Sequence, residues 1–134
     1  IGNSSLSLAA TVFRMTLHTS ASNAATITLG VYNSVTGEVT EANGYSSSGK
    51  ALTSEVWTVG ASAMQYKFDA DDSFWSANAG VISAIKFAVI WISAAASANR
   101  HLLCRSTLST SQFSLSSGNR MTIQQAATGI LTLT

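Results

Sequence analysis

Gly44, Gly49 and Lys50 in "GYSSSGK" occupy the fixed positions of a phosphate-binding loop: glycine, four variable residues, glycine, lysine. In such a loop backbone amides cradle the phosphates and the lysine meets their charge. A Ser or Thr directly after the lysine ligates Mg²⁺, and a helix begins there with its amides facing the anion. Here Ala51 follows and offers no metal ligand. The next stretch, "ALTSEVWTV", carries Val56, Trp57, Thr58 and Val59, which favour a strand over a helix. The motif therefore reads as a turn in which Gly44 and Gly49 supply positive φ angles, with Tyr45 between them.

Asp69, Asp71 and Asp72 are the densest acidic cluster. Calcium would require a spaced ladder of Asp, Asn, Gly and Glu, which is missing. The cluster reads instead as a structural turn, with Asp71 or Asp72 capping a single helical turn before Trp75 and an acid pairing with a lysine such as Lys67. His18, His101 and abundant serines allow a Ser-His-Asp set on paper, but no nucleophile-elbow sequence accompanies them. No catalytic, cofactor-binding or metal-binding residues are assigned, and the chain reads as a non-enzyme.

Period-two alternation governs the elements that must position these residues. "VFRMTLHT" sets Phe13, Met15 and Leu17 against Arg14, Thr16 and His18, which predicts a half-buried strand with His18 on its polar face. "ATITLGVY" repeats the pattern after the turn-rich "TSASNAA", which predicts a hairpin with the first strand. Further strands are expected in "ALTSEVWTV", "MQYKF" with Met64, Tyr66 and Phe68 on one face, "RHLLCRSTL", "QFSL", "RMTIQQ" and "GILTLT". "ISAIKFAVIWIS" is apolar on both sides, with Ile85, Phe87, Val89 and Trp91 on one and Ala84, Ala88, Ile90 and Ile92 on the other. It is the expected central strand. About eight or nine short strands separated by turns predict one all-β domain over residues 1–134, an antiparallel β-sandwich of either jelly-roll or immunoglobulin-like arrangement.

At 134 residues the chain is one domain's worth, and its most telling number is a charged content of 10%, against about 25% in ordinary soluble domains. So few charges suit a surface covered in an assembly, and the absence of proline leaves strand edges free to pair with neighbours. A homo-oligomer is the expectation. Arg14, Lys50, Lys67, Lys86, Arg100, Arg105 and Arg120 are scattered singly, which argues against nucleic acid as a partner. Cys104 alternates with Leu102 as a small core residue and has no second cysteine for an internal disulfide. The stretch 87–98 is too short for a membrane helix of about 20 residues. Ile1 in place of methionine, without a signal segment, reads as processing or as the start of a piece of a longer product. Trp75 and Trp91 continue apolar patterns and are assigned to the core with Phe87 and Val89. Trp57 is the expected exposed aromatic contact, so a glycan-binding sandwich module is the alternative class, with a glycan as its partner.

"YNSVTGEVTEANGYSSSGKAL", "FDADDSFWSA", "ISAIKFAVIW", "LLC" and the terminal "ATGILTLT" resemble a widespread group of small bacteriophage virion structural proteins. Gly44, Tyr45, Ser46 and Gly49 match that family's Gly-Tyr-Ser/Thr turn. Ala70, Asp71, Asp72 and Trp75 match its Ala-Asp-Asp turn closed by tryptophan, and Ala88, Val89 and Ile90 its central strand. The resemblance spans residues 30–134. "IKFAVIW" stands where a tyrosine-containing "RYAVIY" is commoner, a departure at Lys86 and Trp91. The resemblance implies a virion component made in the host cytoplasm that binds other virion proteins. Its partners would be the major capsid protein, for a decoration or cement role, or neck, tail or head-fibre proteins.

Because Ala51 replaces the Mg²⁺ ligand and a strand follows, calorimetric titration with ATP or GTP is expected to show no binding, and Lys50→Ala no change. Micromolar binding lost in that variant would overturn the turn reading.

Overall fold

The computed structural model describes residues 12–26, 28–59, 65–127 and 129–133. Its strands are β1 (Phe13–His18), β2 (Lys50–Ala51), β3 (Val56–Val59), β4 (Tyr66–Asp69), β5 (Ser73–Ser76), β6 (Ile82–Ile85), β7 (Phe87–Ile92), β8 (Leu102–Thr107), β9 (Phe113–Leu115), β10 (Arg120–Ile123) and β11 (Leu131–Leu133). The chain is an all-β antiparallel sandwich. One layer is the four-stranded sheet β2-β1-β7-β8, and the smaller sheets β11-β4-β3, β10-β5 and β6-β9 supply the rest. Short 3₁₀ turns lie at Tyr32–Ser34 and Ser97–Asn99. No helix among the described residues is long and apolar enough to cross a membrane.

Every residue of β7 is buried, as its two-sided apolar pattern predicts, and it lies between β1 and β8. The register sets Phe13, Met15 and Leu17 beside Ile92, Ile90 and Ala88, so all six share the inner face. They pack with Phe68, Trp75, Ile82 and Ile85 from the smaller sheets. Phe13 meets Phe68 at 4.7 Å between ring centres. Full burial of such side chains stabilises by roughly 1.5–3 kcal/mol each.

The outer face carries Arg14, Thr16 and His18 beside Trp91, Val89 and Phe87. Sequence alternation makes this the polar, wet side of β1, yet Thr16 and His18 are fully buried. Tyr32 and Thr36, from the chain that follows β1, lie against His18. The stretch predicted as the second strand of a hairpin is not a strand in its described part: Val31 makes a single bridge to His101, and Tyr32 begins a 3₁₀ turn. Ile27 lies outside the described residues. Tyr32 stacks on Trp91 with ring centres 4.0 Å apart and planes 4° from parallel. Asn23 closes the loop by accepting from the Thr36 amide and donating to the Ser34 carbonyl. The pairing expected of this segment fails because β7 presents an apolar outer face that needs a lid more than β1 needs a sequence-adjacent partner.

Three more expectations need correction. The long apolar run is two strands, β6 and β7, in different sheets. An irregular register and Ala84 at φ +62° let both Ile82 and Ile85 reach the inner core, while Phe87 turns outward. "ALTSEVWTV" is likewise broken into β2 and β3 around Ser54 at φ +55°, where the Asp71 amide donates to the Thr53 carbonyl. Ser73–Ser76 forms β5 and no helical turn, because it pairs with β10 in full register. In β4 Phe68 is buried while Tyr66 is exposed, and Met64 lies outside the described residues.

Trp91 is buried on the outer face beneath Tyr32, whereas Trp57 is half-buried against Phe68. Trp91→Ala is expected to cost about 3–5 kcal/mol in urea unfolding or to prevent folding, and Trp57→Ala less. The reverse order would overturn this assignment of the aromatics.

Candidate functional site

The loop 44–50 is built against β1. At Gly49, with φ +61°, a Cβ would fall on the Met15 carbonyl oxygen, and at Gly44, with φ +102°, on that of Ser76. Only glycine fits either place. Lys50 and Ala51 then pair with Met15 and Arg14, so a strand follows the loop where a nucleotide site would need a helix. Arg14 locks the turn by donating from Nε to the Ser48 carbonyl and from its terminal nitrogen to the Gly49 carbonyl, both at 2.8 Å.

Tyr45 is buried, and its hydroxyl fills a missing rung of the ladder beside β1. It accepts from the Leu17 amide at 3.1 Å and donates to Glu38 Oε1 at 2.7 Å. The same carboxylate oxygen accepts from the Ser48 amide at 2.7 Å, and Oε2 accepts from the Tyr32 hydroxyl at 2.6 Å. One carboxylate thus ties the loop, the edge of β1 and the outer lid together. Burial, reinforced by the Glu38 charge, pushes both tyrosine hydroxyls far above their ordinary range. Neither can serve as a nucleophile near neutral pH.

His18 completes the knot. A carbonyl can only accept, so Nδ1 carries the proton and donates to Thr36 at 3.2 Å. Nε2 then accepts from Thr16 Oγ1 at 3.0 Å. Desolvation lowers the pKa of His18 below 6.5, against the opposing pull of the Thr36 carbonyl and the Glu38 charge. With both nitrogens engaged and no exposed surface, this imidazole cannot reach a bound molecule as a base. His101 lies exposed just before β8.

The acidic turn binds its own chain. Asp71 Oδ2 accepts from Ser54 Oγ at 2.6 Å and from Thr53 Oγ1 at 3.3 Å, and Asp72 Oδ1 accepts from the Gln125 amide at 2.8 Å. Asp69 pairs with Lys67 at 3.5 Å. Among the described residues no three His, Cys, Asp or Glu side chains converge in a metal-ligating group. Trp75 is buried under this turn in the inner core with Tyr45, while Phe87, Val89 and Trp91 belong to the outer face.

The surface is where the assigned residues give way to others. Trp57 is not an exposed platform, because it packs on Phe68 with ring centres 5.1 Å apart. The exposed apolar side chains of this sheet are Val56, Val59 and Tyr66, of which Val59 and Tyr66 are cross-strand neighbours and β3 is a sheet edge. A cleft of about 270 Å³ lies between the inner sheet and the chain after β10, lined by Met15, Ile90, Cys104, Ile123, Gln125 and Ile130. Cys104 borders it, with burial raising the pKa of its thiol. The cleft gathers no convergent set of titratable groups.

Comparison with protein families, with curated proteins and with solved structures finds no match for the chain.

Because the pKa of His18 is depressed by folding, its contribution to stability is present above pH 6.5 and is lost as the pH falls from there through the folded value. The thermal midpoint should therefore decline on acidification below that point, and the decline should be shallower in His18→Gln. An identical acid limb in both proteins would show that His18 titrates without penalty.

Proposed function

We propose that the chain is a bacteriophage virion structural protein that acts by protein–protein binding, as a capsid decoration or cement subunit before a neck, tail or head-fibre component. The likeness of residues 30–134 to that family's turn and strand motifs supports the virion setting. The observation that carries a binding role is β3, an edge strand with neither Lys nor Pro. Natural sheet edges are commonly guarded by such residues. Val56 is 44% exposed, Val59 69% and Tyr66 54%, and among the described residues β3 pairs with β4 alone, so apolar side chains lie along one border of the sheet. Strand addition uses that combination: the backbone ladder supplies affinity and the side chains select the register. The few charged residues leave little to oppose such contact.

Sedimentation velocity of the purified protein, alone and with empty capsids, tests the reading. Self-association or cosedimentation is expected, through an interface of at least about 1,000 Å². Val59→Lys should weaken it, and moderate salt should change it little, because apolar and backbone contacts are not screened. A monomer that ignores capsids but is retarded by a polysaccharide would replace this reading with the glycan-binding one.

A further inference from the structure

Phe74 in β5 is 41% exposed and carries two cations over its ring. The Arg120 guanidinium carbon stands 3.6 Å from the ring centre and Lys50 Nζ 4.3 Å from it. Neither is loosely held. Lys50 follows Gly49, and its ammonium also donates to the Phe74 carbonyl. Arg120 is fixed by β10 opposite Ser76, diagonal to Phe74 across the β5 pair. The two charges therefore stay within about 8 Å of each other.

Among the described residues no carboxylate pairs with either cation. All six carboxylates are committed elsewhere: Glu38 to the two tyrosines and Ser48, Glu41 to the Ser47 amide, Glu55 to the Phe13 amide, Asp69 to Lys67, Asp71 to Thr53 and Ser54, and Asp72 to the Gln125 amide. The aromatic face attracts the cations but does not neutralise them. Two like charges held around one ring at an exposed, partly apolar spot favour an acidic partner, and the arginine fork suits a carboxylate.

We propose that Lys50, Phe74 and Arg120 form a docking site for an acidic segment of a partner protein, with its carboxylates on the two cations and an apolar neighbour on the rim of the ring. That the partner is a virion protein rests on the reading above; the site itself does not. Two cations around a hydrophobic ring are far short of the basic stripe that tracks nucleic-acid phosphates, and the apolar rim favours a peptide over a free anion. Lys50, the lysine of the phosphate-loop-like stretch, thus serves anion recognition through a neighbouring strand without any helix behind it.

The probe is a fluorescein-labelled octaglutamate peptide, read by polarisation at low ionic strength with the whole chain. Lys50→Glu/Arg120→Glu should weaken binding by at least about tenfold, and Lys50→Gln/Arg120→Gln by a smaller factor with an unchanged thermal midpoint. The control is Lys86→Glu/Arg105→Glu, which alters two cations that flank the buried ring of Phe87. It makes the same change in net charge and should stay within about twofold of the parent. Equal loss in the control, no loss in the Lys50/Arg120 variants, or displacement of the peptide by inorganic phosphate beyond that by sodium chloride of matched ionic strength would each overturn the site. Cosedimentation with capsids decides the virion reading separately, since a chain that binds the peptide yet ignores capsids keeps the site and loses that reading.

Discussion

A strand with no exposed residue needs cover on both of its faces, and β7 imposes that condition on the whole chain. A two-layer sandwich would satisfy Ala88, Ile90 and Ile92 and leave Phe87, Val89 and Trp91 wet. The segment after β1 resolves this by forgoing strand pairing and crossing the outer face as a lid. Ordering such a segment costs roughly 1–2 kcal/mol per residue in backbone entropy. The stacked Tyr32–Trp91 pair and the loop closed by Asn23 offset that cost with buried apolar area and satisfied backbone groups.

The lid in turn buries the polar side of β1, and buried polar groups must find partners. Thr16 and His18 satisfy one another, with Thr36 of the lid completing the imidazole. Glu38 brings a carboxylate into the same layer, where it accepts from two tyrosine hydroxyls and one amide. Charge-assisted hydrogen bonds of this kind are stronger than neutral ones. Through Tyr45 the network reaches the loop 44–50 and presses it so close to β1 that Gly49 has no room for a side chain. The shape of that loop follows from the need to cover β7.

Local pattern made much of this readable. The two-sided run at β7, the inner face of β1 and the positive φ of Gly44 and Gly49 are properties of neighbouring residues, and they appear in the structure where the spacing puts them, whereas the polar face of β1 is buried against its pattern. What could not be read depends on distant residues. "ATITLGVY" has a strand's composition, and only the demand of Trp91 makes its described part a lid. Ile82 and Ile85 both reach the inner core through an irregular register with β9 between them, which no apolar pattern encodes. Glu38 lies six and seven residues from its two tyrosines in a stretch that is neither a helix nor a named strand, so no regular period joins them. Its one sequence signal is scarcity: in a chain with six acids, each is a candidate for an internal bond. Its place near a turn puts Trp57 at the surface on sequence alone, whereas contact with Phe68 on the adjacent strand draws it inward.

That scarcity also shapes the exterior. Because the acids brace loops and lid, the charges left without a carboxylate partner are basic, and Arg120 and Lys50 are held over an aromatic ring by the strand register that builds β5 and β10. The apolar edge at β3 and the basic spot at Phe74 have different physics. The first offers non-directional burial and a backbone ladder, which tolerate salt but discriminate poorly between partners. The second offers little affinity in water but penalises a wrongly placed neighbour, because unmatched charge is costly once solvent leaves. On a binding reading, edge contacts would hold the subunit and the charged contact would set its orientation. In a repeated lattice even a weak orienting contact is multiplied by the number of equivalent sites, so a chain with few charges can be selective if those few are rigidly placed.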